Sequence, residues 1–150
     1  MFGEKKKQWV IGGIDRLTNQ CFAELAEKRD SITIKEMISR RVKTRTRLIT
    51  DKWRAYLCLK QHGYKVDQVN HSQNYVDPND LTINTQKIER AWGSLKKTIP
   101  KTTRGTMRST YIEEFVYRKT FFSKNNAQNF RIVLNDISEF YPGCFLFKND

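Results

Sequence analysis

Apolar positions along this chain alternate between the two-residue period of strands and the 3.6-residue period of helices, and the order of those periods predicts the elements. Trp9 to Ile14 is a short strand, and Cys21 to Ala26 is its returning partner across the turn residues Asp15 to Gln20. Ile34, Met37, Ile38 and Val42 recur at helical spacing behind a cap at Asp30 or Ser31. Thr46 to Thr50 is a β-branched strand with Asp51 at its end. Trp53, Tyr56, Leu57 and Leu59 then predict a helix that stops at Gly63, before a strand over Tyr64 to Val69.

The polar stretch Asn70 to Asn84, with Asp77-Pro78-Asn79-Asp80, is a loop. Ile88, Trp92, Leu95 and Ile99 form one apolar stripe on a helix from Thr85 to Ile99, ended by Pro100. A basic loop runs from Lys101 to Ser109, and a further helix spans Tyr111 to Phe121. A last amphipathic stretch carries Phe130, Val133, Leu134, Ile137 and Phe140. The element order predicts an α/β fold with a mixed sheet flanked by helices. Residues 1–150 are read as one domain, with 123–150 as a C-terminal helical extension and tail.

Composition narrows the function. Lys and Arg number 28 against 16 Asp and Glu, a formal charge of +12. That excess points to a polyanion, nucleic acid before membrane. No apolar run reaches the length of a membrane span. Cys21, Cys58 and Cys144 are odd in number and widely spaced, which fits neither a zinc site nor a disulfide framework.

Several stretches carry a family likeness in order. They are Trp9-Val10-Ile11-Gly12-Gly13-Ile14-Asp15-Arg16, Thr50-Asp51-Lys52-Trp53-Arg54-Ala55-Tyr56, Val69-Asn70-His71-Ser72 and Tyr75-Val76-Asp77-Pro78. Thr85-Gln86-Lys87-Ile88-Glu89-Arg90-Ala91-Trp92, Lys96-Lys97 and Glu114-Phe115-Val116-Tyr117-Arg118 follow. With them the chain resembles the catalytic domain of Merlin-type transposases and their bacterial insertion-sequence relatives.

That resemblance implies a ribonuclease-H-like, retroviral-integrase-like fold and an Asp-Asp-Glu triad that cuts and joins DNA. It makes Asp51 the second carboxylate and Glu89 the third, both catalytic and both metal-binding, in a two-metal site for Mg²⁺ or Mn²⁺. The first Asp of the family lies on a strand ahead of a basic segment, here Lys5-Lys6-Lys7, so it is expected upstream of Met1. The chain is therefore read as a truncated domain lacking its first strand, with impaired catalysis. Asp15 falls at a motif position that the family does not use for catalysis.

Lys96 lies two helical turns after Glu89, on the same face, where it could meet a phosphate. Lys97, Lys101, Arg104 and Arg108 complete a cationic set suited to a DNA backbone. His71 and Asn70 are candidates for support of the active site. Further implications are transposon-end and target DNA as partners, homo-oligomerisation in a transposition complex, and a nuclear location, or cytoplasmic if the chain is bacterial. The competing reading is a non-catalytic, domesticated or relic DNA-binding protein of transposase descent.

Overall fold

The computed structural model describes residues 8–70, 76–78, 80–103 and 107–141. Strands β1 (Trp9–Ile14) and β2 (Cys21–Ala26) pair antiparallel, with Trp9 opposite Ala26 and Ile14 opposite Cys21. Asp15 builds the turn between them, its Oδ1 accepting the N–H groups of Leu17 and Thr18 at 2.7 Å each. These two bonds stabilise the ionised carboxylate and hold the Asp15 carboxyl below its ordinary range.

Helix α1 (Ser31–Arg41) starts where the sequence places it. Asp30 is the cap, its Oδ1 accepting the Thr33 N–H at 2.8 Å. Ile34, Met37 and Ile38 form its buried face. At its other end Arg40 and Arg41 pair with Glu24 of β2 at 3.1 and 2.5 Å, cations where the helix dipole favours them.

Strand β3 (Arg47–Asp51) leads through a 3-10 turn (Arg54–Leu57) into the short helix α2 (Cys58–Gln61). Gly63, at a φ of 82°, makes the left-handed reversal into β4 (Lys65–Val69), which runs parallel to β3 with Asp51 opposite Val69. Three helices follow: α3 (Gln86–Thr98), α4 (Met107–Phe121) and α5 (Asn126–Phe140). Helix α4 begins four residues before the predicted start at Tyr111.

The α/β character is as expected. The strands, however, pair in twos among the described residues, one antiparallel pair and one parallel pair, where the sequence predicted a single mixed sheet. Side chains hold the pairs together instead of a shared ladder. Ile11 and Ala26 of the hairpin, Ile34, Met37 and Ile38 of α1, and Leu59, Tyr64 and Val66 of the β3–β4 unit form one buried cluster.

Strand alternation gives the hairpin a second buried face. Ala23 there joins Ala91 and Leu95 of α3 and Ile112 and Phe115 of α4, with Ile14, Leu25, Ile88 and Trp92 packed around them. The hairpin is thus a wall between two cores. Gly12 makes the close approach on the second face possible, because a Cβ there would lie 2.8 Å from Trp92 Cη2 and 2.3 Å from the Phe22 carbonyl oxygen.

The expected packing role of Trp92 agrees with this arrangement. Helix α5 differs. Its apolar stripe contributes to neither cluster, and Phe130 and Phe140 stand 64% and 78% exposed.

Candidate active site and cationic groove

Asp51 closes the β-branched strand β3 and is half-buried. Its main-chain carbonyl accepts the Gln68 side-chain amide at 3.1 Å, and its Oδ1 accepts the Trp53 N–H at 3.2 Å, which fixes the orientation of the carboxylate. The other oxygen, Oδ2, faces Arg29 Nη2 at 3.8 Å. Arg29, in the link between β2 and α1, lies over the Trp53 ring at 4.0 Å and the Trp9 ring at 5.3 Å, both within cation–π range.

Tyr56 packs edge-on against Trp53 with ring centroids 5.5 Å apart. Burial, and then the Asp51 charge, push its phenol above the ordinary tyrosine range, while Arg29 pulls the other way. Sequence reasoning singled out Asp51 here and missed Arg29, which stands in a turn without periodicity. Trp9 and Trp53 both pack against that guanidinium.

Glu89 sits in the first turn of α3 with its side chain exposed, at the helix end where the dipole favours a carboxylate. Two bonds tie this end of the helix to the hairpin tip and the preceding loop. Lys87 Nζ donates to the Arg16 carbonyl at 2.6 Å, and Arg16 donates to the Thr82 carbonyl at 2.5 Å. Asn70 follows β4 and is half-buried, while His71 lies outside the described residues.

Asp51 and Glu89 are therefore mounted on elements that pack into different cores. Among the described residues, no three His, Cys, Asp or Glu side chains gather as a metal-holding group. The two carboxylates fit Mg²⁺ or Mn²⁺ in kind, since hard cations take oxygen donors and complete their shells with water and phosphate. Asp15 has the structural role already described, on the hairpin turn.

Three of the five cationic candidates line one groove. Lys96 of α3, Lys101, and Arg108 of α4 line a groove of about 220 Å³, floored by Val10, Leu25, Ile99 and Ile112. Among the described residues that line it, none is acidic. Arg108 is oriented by donating to the Thr103 carbonyl at 3.2 Å. Lys97, one residue round the helix, does not line it, and Arg104 lies outside the described residues. Arg118 pairs with Glu114 one turn away on α4, at 2.6 Å.

Neither a curated protein nor a solved structure matches the chain. A family match does exist, to the ISXO2-like transposase domain, and it spans residues 2–120. It takes in the hairpin, Asp51, Glu89 and the three groove cations, and it ends within α4. The chain belongs to the ISXO2-like family of DDE transposase domains.

Proposed function

We propose that this chain is the catalytic domain of a DNA transposase in which Asp51 and Glu89 hold divalent metal and the groove of Lys96, Lys101 and Arg108 holds the DNA backbone. The groove that Lys96, Lys101 and Arg108 line against the hairpin, with no acidic side chain among its described residues, is the observation that carries the reading, in a chain whose family is one of transposase domains. Three cations on an apolar floor suit phosphate oxygens without demanding a base sequence. When bound, Mg²⁺ or Mn²⁺ would supply activation of the attacking oxygen and stabilisation of the leaving one.

The protein's own part is placement. Trp53 N–H fixes the Asp51 carboxylate, and the start of α3 offers Glu89 from a helix tied to the hairpin tip. The RNase-H-like layout, kinship with Merlin-type elements, homo-oligomerisation on transposon ends and a nuclear location (cytoplasmic in a bacterium) belong to the same proposal. A second reading, a DNA-binding protein without catalysis, draws on one observation. The groove is assembled, whereas no three-donor group stands among the described residues.

Nicking of supercoiled plasmid with Mg²⁺ or Mn²⁺ separates the two. The catalytic reading expects metal-dependent nicking that falls on the order of 10³-fold in Glu89→Gln and in Asp51→Asn, the scale of losing one essential charge-stabilising group. Nicking untouched by either change would remove these residues from the mechanism. DNA binding without metal-dependent nicking would establish the second reading.

A further inference from the structure

Arg29 occupies an unusual place. It is the residue at which the two strand pairs meet the candidate metal-binding carboxylate. Trp9 opens β1, Trp53 follows β3, and the Arg29 guanidinium lies over both rings. Its Nη2 stands 3.8 Å from Asp51 Oδ2, the oxygen that Trp53 N–H does not engage. That separation exceeds hydrogen-bond length, so the pair is held by charge and by the aromatic walls rather than by a direct bond.

Both side chains are 36% exposed, which leaves the carboxylate open to solvent cations. Tyr56 completes the surroundings, with electrostatic interactions to both Arg29 and Asp51. A guanidinium cannot lose its proton at accessible pH, so the only way to remove its charge from Asp51 is to move it.

We propose that Arg29 is the resident counter-cation of Asp51, displaced when a divalent cation binds there, with Trp9 and Trp53 as the rails along which it moves. This rests on the reading of Asp51 as a metal ligand. In the resting protein the positive charge beside Oδ2 disfavours a second cation. Binding of divalent metal drives the guanidinium away from the carboxylate and changes its stacking on the indoles. The released side chain keeps its full set of donors for a phosphate oxygen. Metal loading and a change at the tryptophans are therefore one event.

The test titrates Mn²⁺ alone into the whole chain, following free Mn²⁺ by electron paramagnetic resonance, and follows Mg²⁺ by tryptophan fluorescence. Arg29→Met removes the charge and keeps most of the bulk. It is expected to bind Mn²⁺ about two- to fivefold more tightly, the range set by a half-exposed ion pair. It should also lose the Mg²⁺-dependent fluorescence change. Arg29→Lys keeps the charge, and its Mn²⁺ affinity should stay near wild type.

Unchanged or weaker binding in Arg29→Met, in a protein whose binding Asp51→Asn abolishes, would overturn the counter-cation role and leave Asp51 as a ligand. Tighter binding in Arg29→Lys as well would also overturn it, since loosened packing rather than charge would then be the cause. Mn²⁺ binding that survives Asp51→Asn would dismiss the ligand itself, and the inference with it.

Discussion

Adding one methyl group at Gly12 should strain the packing of α3 on the hairpin and lower stability, and the same methyl added at Gly93 should raise it. An alanine Cβ at position 12 would lie 2.3 Å from the Phe22 carbonyl oxygen, 2.8 Å from Trp92 Cη2 and 3.0 Å from Ala23 Cα. Two of these three atoms are main chain, so the strand ladder itself must yield, and the tip of the Trp92 indole must shift as well. Overpacking of this kind costs about 1–3 kcal/mol. For a chain of this size each kcal/mol lowers Tm by roughly 2–4 °C, so Gly12→Ala should melt roughly 2–12 °C below wild type. At Gly93, on α3 itself, an added methyl group would meet nothing within 4 Å. Alanine there restricts the unfolded chain and gains about 0.5–1 kcal/mol of helix propensity, a rise of roughly 1–4 °C. Melting followed by far-UV circular dichroism reads both. Repeating Gly12→Ala in a Trp92→Phe background isolates the helix contact, because the shorter ring removes the atom that would clash. An equal loss in both backgrounds would refute the claim that Gly12 sets the seat of α3, and a Gly12→Ala protein as stable as wild type would refute the close approach altogether.

Other consequences follow from the same geometry. Replacing Lys96, Lys101 and Arg108 together by alanine should weaken duplex DNA binding for every sequence and reduce the slope of log K against log salt by about 2 to 3, as measured by fluorescence anisotropy across a salt series. Ile112, 1% exposed in the second core, should cost about 2–5 kcal/mol on truncation to alanine, whereas Phe140→Ala, at a site 78% exposed, should leave urea unfolding nearly unchanged. The Tyr117 hydroxyl donates to Asp136 across α4 and α5, and this bond pushes the phenol from 10.0 up to about 12. A raised folded-state pKa contributes stability that is full below pH 10 and is lost as pH climbs toward 12, so Tyr117→Phe should flatten the alkaline fall in stability over that interval. An unchanged alkaline profile in that variant would remove Tyr117 as its source.

What could be read from the residues divides by range. The α1 cap at Asp30, the reversal at Gly63, the carboxylate ending β3 and the Ile88–Trp92–Leu95 stripe are local, each set by neighbours within a turn or two, and each forms as expected. Pairing partners are not local. No spacing in the sequence distinguishes two separate strand pairs from one mixed sheet, because the choice depends on which edges meet. Arg29 escaped for the same reason. Its partners Trp9, Asp51 and Trp53 are twenty or more positions away, and a single arginine between Lys28 and Asp30 carries no period. The cationic cluster was half legible. Charge density marked the segment, but the turn of α3, about 100° per residue, decides that Lys96 lines the groove and Lys97 does not. The stripe on α5 identified a helix without identifying a partner, and Phe130 and Phe140 remain exposed.

These pieces make the hairpin the mechanical centre of the candidate site. Asp51 belongs to the strand pair that shares a core with one face of the hairpin, and Glu89 rides on the helix that packs against the other. How the two carboxylates sit relative to one another therefore depends on how closely each side seats on the hairpin. Gly12 governs one seat through Trp92, and Arg29 spans the other through Trp9, Trp53 and Asp51. Closely packed interiors transmit such displacements instead of absorbing them. A change at Gly12, remote in sequence from both carboxylates, should therefore disturb metal-dependent nicking more than it disturbs DNA binding, since the groove cations Lys96, Lys101 and Arg108 all stand on α3, α4 and the link between them, while the hairpin contributes the apolar Val10 and Leu25 to the groove. Equal losses of nicking and binding would mean that the hairpin supports the whole structure without setting the spacing of the site.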